Sequence, residues 1–251
     1  AKMVRVDADT VEFVSDSALA VAQGNVIITS KDIKAIAGRS IMRQNEGVLD
    51  LYEKPVLERG ESTVKGEFIS VISENDVLRQ IVVTDSARAE FKEVVDTLPD
   101  SSVLIDQSIL TGKKINFDFQ YGVLNLVTSI GQAYSWYYPA NRGGPESNEN
   151  AVSGDTIQFS VANDQLQTVT VLGGAIGTYV NSKEKSVDSV IVTTKDTIDY
   201  SSSYIRYQMS DSVITLVGGS HIESGTVELN AHQVLFDTQR RLIKAYSADI
   251  V

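Results

Sequence analysis

The sequence predicts an all-β protein built as a stack of kinked antiparallel hairpins. Two observations carry that prediction: a motif that returns at fixed spacing, and a period of two in polarity within each copy. The motif is clearest over 112–137. Shifted forward by 42 positions, Gly112, Ile115, Phe117, Leu124, Val127, Gly131, Ala133 and Tyr137 fall on Gly154, Ile157, Phe159, Leu166, Val169, Gly173, Ala175 and Tyr179. Shifted back by 46, they fall on Gly66, Ile69, Val71, Leu78, Ile81, Asp85, Ala87 and Phe91. A further copy (Ile205, Tyr207, Val217, Gly219, Ile222) follows, and a clipped one (Val11, Phe13, Ala20, Gly24, Val26, Ile28) precedes. A fixed period marks an array. The copies occupy 4–30, 64–92, 110–138, 153–180 and 198–236 of one domain spanning 1–251, with an exposed loop at 139–153.

Within a copy the polarity alternates. Ala87, Ala89 and Phe91 alternate with Arg88, Glu90 and Lys92, and Ile115, Phe117 and Phe119 with Lys114, Asn116, Asp118 and Gln120, as half-buried strands do. Each unit reads as a strand, a turn (Glu74-Asn75-Asp76, Gln120-Tyr121-Gly122, Asn163-Asp164) and a longer strand. The Gly or Asp inside the longer strand predicts a bulge or bend there.

Composition bounds the rest. The chain has 251 residues, 42% of them apolar, four prolines and no cysteine. It is long enough to bury a continuous core, and it can form neither disulfides nor thiol chemistry. No run of eighteen apolar residues offers a membrane-spanning helix, and no charged-then-apolar leader precedes the first strand. The net charge of −11 argues against nucleic acid and anionic membrane surfaces as partners.

In chain order, Val4 and Val6 point inward from a short first strand, and 18–36 reads as two strands around Gln23-Gly24-Asn25 and Ser30-Lys31-Asp32. Between Ala35 and Met42 two phases compete and the face is open. The stretch 49–57 reads as one strand that Pro55 confines to an edge or bulge. The pattern breaks over 92–111, where a helical turn ahead of Pro99 is expected. Another strand is expected over 187–194. In 224–236, Val227, Leu229 and Ala231 and then Val234 and Phe236 face inward, with a phase skip at His232-Gln233. A last strand begins at Leu242.

Three phrases carry a family resemblance: Gln23-Gly24-Asn25-Val26-Ile27-Ile28, Leu51-Tyr52-Glu53-Lys54-Pro55-Val56 with Val64-Lys65-Gly66, and Gly225-Thr226-Val227-Glu228-Leu229-Asn230-Ala231 with Val234. They resemble signatures of the organic-solvent-tolerance A-like family of periplasmic lipopolysaccharide-transport proteins. That family includes the bridge protein and the soluble amino-terminal domain of the outer-membrane lipopolysaccharide assembly protein. The resemblance implies an elongated, V-shaped open β-jellyroll with a continuous apolar groove. It also implies a periplasmic location, lipopolysaccharide acyl chains as ligand, and edge-to-edge joining to homologous jellyroll domains. Gly38 stands where that family usually has an acidic residue.

The residues point the same way by themselves. Ile69, Val71, Ile81, Val83, Ile115, Phe117, Val127, Ile157, Phe159, Val169, Val171, Ile205, Tyr207, Val217, Leu229 and Phe236 would form apolar walls. After each kink the inward positions are small: Ala87 and Ala89, Ala133 and Ser135, Ala175 and Gly177. Walls of this kind are core in any β fold; it is the small layer, where a filled barrel carries branched or aromatic side chains, that points to a trough for acyl chains. Burial contributes about 0.8 kcal/mol per methylene.

No enzyme chemistry is expected. His221 and His232 lack metal-ligand spacing, and Gly173-Gly174-Ala175-Ile176-Gly177 continues a strand rather than opening a helix. No cofactor or metal is implied. The lysines 113–114 and 183–185 and Arg240-Arg241 read as solvated charge or phosphate contacts, and Trp136, between Tyr134 and Tyr138, as an outward aromatic ladder or rim. Terminal edge strands carrying Val4 and Val6, and Leu242 and Ala245, offer strand addition and head-to-tail self-association. Two other architectures share a period near 42 to 46, a β-propeller and a β-helix. The first lacks its Trp-Asp signature and the second its inward carboxylates.

Overall fold

The alternation becomes strands over nearly the whole chain. The computed structural model describes residues 4–30, 33–97, 103–140, 146–163, 165–187, 190–240 and 242–250. The strands are β1 (Val4–Asp7), β2 (Thr10–Val14), β3 (Leu19–Ser30), β4 (Ile33–Arg43), β5 (Val48–Tyr52), β6 (Val56–Arg59), β7 (Ser62–Lys65), β8 (Phe68–Glu74), β9 (Val77–Thr97), β10 (Val103–Gln120), β11 (Val123–Tyr138), β12 (Glu146–Ala162), β13 (Gln165–Val187), β14 (Val190–Gln208), β15 (Val213–Ser224), β16 (Val227–Asp237) and β17 (Leu242–Ile250). They form one 17-stranded sheet, antiparallel in the pairings given below. The protein is all-β, a succession of antiparallel hairpins. Among the described residues the only helical turns are two of 3-10 type, Ser15–Ser17 and Gln44–Glu46.

The turns are those the sequence marks. Asn75 and Asp76 adopt φ of 52° and 61°, and Tyr121 and Gly122 of 53° and 80°, the left-handed pair of a two-residue hairpin loop whose twist matches its strands. Asp164 lies outside the described residues.

The predicted bends are pairs of consecutive left-handed residues: Gly24-Asn25 (φ 77° and 49°), Asp85-Ser86 (58° and 53°), Gly131-Gln132 (79° and 54°), Gly173-Gly174 (76° and 56°) and Gly218-Gly219 (88° and 69°). At three of them the register slips and the alternation restarts, as bulges do. Pairing of β3 with β4 shifts between Gln23 and Val26, of β13 with β14 between Leu172 and Ala175, and of β15 with β16 between Val217 and Ser220. The last slip explains the phase skip at His232-Gln233. The slip opposite Gly24-Asn25 resolves the competing phases in β4: Ala35 and Ala37 are buried before it and Ser40 after it.

A close approach accompanies the bends. A Cβ on Gly66 would meet Val83 Cγ1 at 2.6 Å, on Gly112 Ser129 Oγ at 2.2 Å, and on Gly154 Val171 Cγ1 at 2.6 Å. Adjacent strands press together at the bend, which is why the motif places Gly there.

Several expectations need correction. Residues 49–57 are two strands, β5 and β6, separated by another left-handed pair, Glu53-Lys54 (φ 66° and 57°), with Pro55 just ahead of β6. No helical turn occupies the described part of 92–111, because β9 runs on to Thr97 and β10 starts at Val103; Pro99 lies outside the described residues. There Val94 is 54% exposed, so burial no longer sorts the faces and the alternation fades. Residues 187–194 straddle the end of β13 and the start of β14. Of the loop expected at 139–153, residues 146–153 are strand, the first part of β12, while 141–145 lie outside the described residues. Its strand signal was hidden by polar residues at inward positions, Asn148 and Asn150. Lys31, Asp32, Arg241 and Val251 also lie outside.

The chain divides into two compact units. The first comprises Ala1–Phe91, Thr111–Gly131 and Ser160–Gln165, the second Lys92–Leu110, Gln132–Phe159 and Leu166–Val251. Long strands such as β9 and β13 contribute residues to both, so the division does not follow the copies.

In the first unit, β1 and β2 both pair with β3, β3 with β4, and β4 with β5 on one side of its slip and β6 on the other. Strands β5 and β7 then meet β8 and β9. The core is Val26, Leu51, Ile69, Val83, Ile115 and Val127 with small Ala22, Ala35, Ala87 and Ala89, all at most 5% exposed. Among the described residues one charge is buried there: Asp50, 5% exposed, is paired with Arg43 and accepts a hydrogen bond from Ser70 Oγ at 2.7 Å, which meets the need of a buried carboxylate for partners. In the second unit, β13 to β17 pair in sequence order over a core including Leu110, Ile157, Val171, Ile205, Ile214, Leu216 and Val234.

Candidate functional site: an apolar cavity with a polar end

The predicted wall residues are placed as follows. Ile69, Val83, Ala87, Ile115, Phe117 and Val127 are buried in the first unit, with Val71 and Ile81 half-buried beside them. Ala133, Ile157, Phe159, Val171, Ala175, Ile205, Leu229 and Phe236 are buried in the second, with Val169, Tyr207 and Val217 half-buried. Eighteen of the nineteen lie on inward faces; Val217 does not, because it follows buried Leu216 directly and pairs with Gln233, on the face opposite Ile214 and Leu216. Val4 and Val6 are exposed at 53% and 42% and Leu242 at 45%, while Ala245 is half-buried.

Within the second unit, five of the predicted residues, Phe159, Val169, Val171, Ile205 and Tyr207, line a cavity of about 30 Å³. Val152, Leu166, Met209 and Ile214 add apolar wall; Ser108, Ser135, Tyr137, Asn150 and Tyr200 complete the lining. That volume accommodates roughly two waters at ~10–15 Å³ each. The small layer does not stand open here. Gly177 pairs with Tyr200 of β14, and a Cβ on Gly177 would lie 2.2 Å from Cε2 and Cζ of the tyrosine. The ring lies across the glycine and takes the space its missing side chain leaves.

Reaching over β13, Tyr200 donates its hydroxyl hydrogen to Asn150 Oδ1 of β12 at 2.6 Å. Tyr200 is 3% exposed, and burial pushes its phenol well above the ordinary value. It stays a neutral donor. Nearby inward positions are polar too. Asn181, 5% exposed, donates to Asn148 Oδ1, and Asp106 accepts from the Tyr137 hydroxyl at 2.7 Å and from the Ala140 backbone N–H at 2.8 Å. Along β12 the inward face changes from buried Phe159 and Ile157 through Val152 to Asn150 and exposed Asn148. The interior of this unit is amphipathic.

Asn150 and Tyr200 were missed from the sequence. Asn150 sat in the stretch read as loop. Tyr200 stood ahead of the first aligned position of its copy, Ile205, although counting back along the pairing of β13 with β14 sets it against Gly177.

Outward positions behave as the alternation predicts. Tyr134 is 42% exposed, and Trp136 stacks on Tyr138 with centroids 5.5 Å apart. Lys113 and Lys114 are exposed, and Arg240 is exposed and faces Asp237 at 3.7 Å; nothing is described of the side chains of 183–185. His221 Nδ1 sits 2.8 Å from Asn230 Oδ1, while His232 is exposed in a separate strand. Among the described residues no group of three His, Asp or Glu side chains is arranged to hold a metal ion, and no helix is long and apolar enough to cross a membrane.

This is an all-β protein of kinked repeats, antiparallel in every pairing given above, with an amphipathic internal cavity. No protein-family model and no curated protein matches the chain. Among solved structures it is similar to LptH of Pseudomonas aeruginosa, described as the LptA-homologous periplasmic component of that organism's lipopolysaccharide transport device. The match has 11% identity, covers 100% of this chain and 94% of that one, and has a TM-score of 0.24. At that score the likeness assigns no role to any residue here.

Proposed function

We propose that the protein is a non-enzymatic periplasmic lipid carrier that binds lipopolysaccharide through its acyl chains and hands it on within a transport bridge to the outer membrane. The observation that carries this reading is the convergence of Phe159, Val169, Val171, Ile205 and Tyr207 on one apolar cavity. The family signatures quoted above support it from the sequence. In this reading the two faces part around the left-handed pairs to admit a chain, and each buried methylene contributes about 0.8 kcal/mol. Tails rather than phosphates drive binding, which suits a chain of net charge −11.

The test is native mass spectrometry with intact lipopolysaccharide and with the same molecule stripped of its acyl chains. Adducts with the acylated form alone are expected. Adducts with both, or with neither, contradict the reading.

Docking to homologous jellyroll domains, including a second copy, belongs to the same proposal. Support comes from the apolar residues exposed on β1 and β2 (Val4 53%, Val11 56%, Phe13 59%) and on β17 (Leu242 45%, Tyr246 50%). Deleting 242–251 is expected to weaken self-association measured by light scattering; unchanged association contradicts docking through that strand.

A further inference from the structure

We infer that Asn150 and Tyr200 form a polar subsite that takes the carbonyl at the head of an acyl chain whose tail lies among Phe159, Ile205 and Ile214. The inference rests on the acyl-binding reading above and adds to it a preference for ester- or amide-linked chains over plain alkyl chains.

The argument is one of polar bookkeeping. Asn150 and Tyr200 both line the cavity whose other walls are mostly apolar. An asparagine side chain carries one acceptor oxygen and two donor hydrogens. Its Oδ1 accepts from the Tyr200 hydroxyl at 2.6 Å. Among the described residues Nδ2 of Asn150 has no partner. Beside the cavity the side chain therefore keeps two donor hydrogens uncommitted. An apolar wall of pure packing would carry neither residue, since polar groups in such places cost free energy unless satisfied.

A donor beside an apolar cavity fits an acceptor attached to a hydrocarbon, the composition of an acyl group. The gradient along β12 sets its direction: the tail toward Phe159, the carbonyl at Asn150, and the head group toward exposed Asn148. Asn150 would touch the ligand. Tyr200 is a positioning residue, holding the amide by its oxygen while its ring spans Gly177.

Two disaccharide amphiphiles of equal chain length, decanoyl sucrose and decyl maltoside, differ in the needed feature: the first has an ester carbonyl, the second an ether. Binding of each below its micelle concentration is measured by calorimetry to the full chain and to its Asn150→Leu and Tyr200→Phe variants. Infrared spectra of decanoyl sucrose isotope-labelled at the carbonyl are recorded in parallel. The expected result is a preference for the ester of about fivefold, the worth of one hydrogen bond. A downshifted carbonyl band should accompany it, and both should be lost in Asn150→Leu and reduced in Tyr200→Phe. Decyl maltoside should bind all three alike, which also shows that the variants are folded. Equal binding of the two amphiphiles to the unaltered chain, or a preference that survives Asn150→Leu, overturns the subsite and leaves acyl binding standing. Binding of neither overturns both.

Discussion

The ring of Tyr200 lies across Gly177 and delivers its hydroxyl to Asn150, so that a β14 side chain spans β13 to hydrogen-bond a residue of β12. The bridge exists because Gly177 has no side chain. Any substituent there competes with the ring for one space.

Gly177→Ala is therefore expected to destabilise the protein by about 1–3 kcal/mol, as overpacking does. In Tyr200→Ala the same substitution should cost markedly less, since the clash is gone. Chemical denaturation of the four proteins of this cycle reads the coupling directly; additive costs would show that ring and glycine do not compete.

Tyr200 also gives stability a pH dependence. Its folded-state pKa is raised above the ordinary 10.0 of the unfolded phenol. The contribution is thus fully present below pH ~10 and is lost as pH rises above it, at up to about 1.4 kcal/mol per unit. Tyr200→Phe should flatten the stability profile on the alkaline side of pH ~10 and leave its shape at neutral pH unchanged. An unchanged alkaline slope in Tyr200→Phe would contradict this assignment.

The left-handed pairs make a second graded prediction. At Gly174 (φ 56°) a Cβ would meet nothing within 4 Å, whereas at Gly173 (φ 76°) it would lie 2.3 Å from Asp155 Oδ2 and 2.8 Å from Asp155 Cβ. Gly174→Ala should cost only the left-handed backbone term, about 1–2 kcal/mol. Gly173→Ala should cost that and a clash besides, in all about 2–4 kcal/mol. Urea midpoints order the two variants.

Filling the cavity should trade binding for stability. Val152→Ile adds one methylene beside a space of about 30 Å³ and should stabilise the protein by about 0.8 kcal/mol while weakening acyl binding. A higher melting temperature with undiminished binding would place the acyl chain elsewhere.

What the sequence revealed and what it concealed have physical reasons. Glycines at 66, 112 and 154 and the pairs beginning at 85, 131 and 173 recur because a bend needs both close approach and positive φ, and both leave marks in residue type. The inward walls were legible because burial selects Ile, Val and Phe at alternate positions. Asn148 and Asn150 were not, because polar residues on an inward face erase the alternation that identifies a strand. The small layer misled in one respect: Gly177 does leave room, but a side chain from the neighbouring strand fills it. Sequence period shows which positions face inward, and only register shows which of them meet.

The central claim is that acyl chains enter among the inward residues of the second unit. A photoreactive amino acid placed at Phe159, 5% exposed and lining the cavity, is compared with one at its outward neighbour Gln158, both in the presence of lipopolysaccharide. A crosslinked adduct from position 159 and none from 158 is the predicted result; adducts from both positions, or from neither, would contradict it.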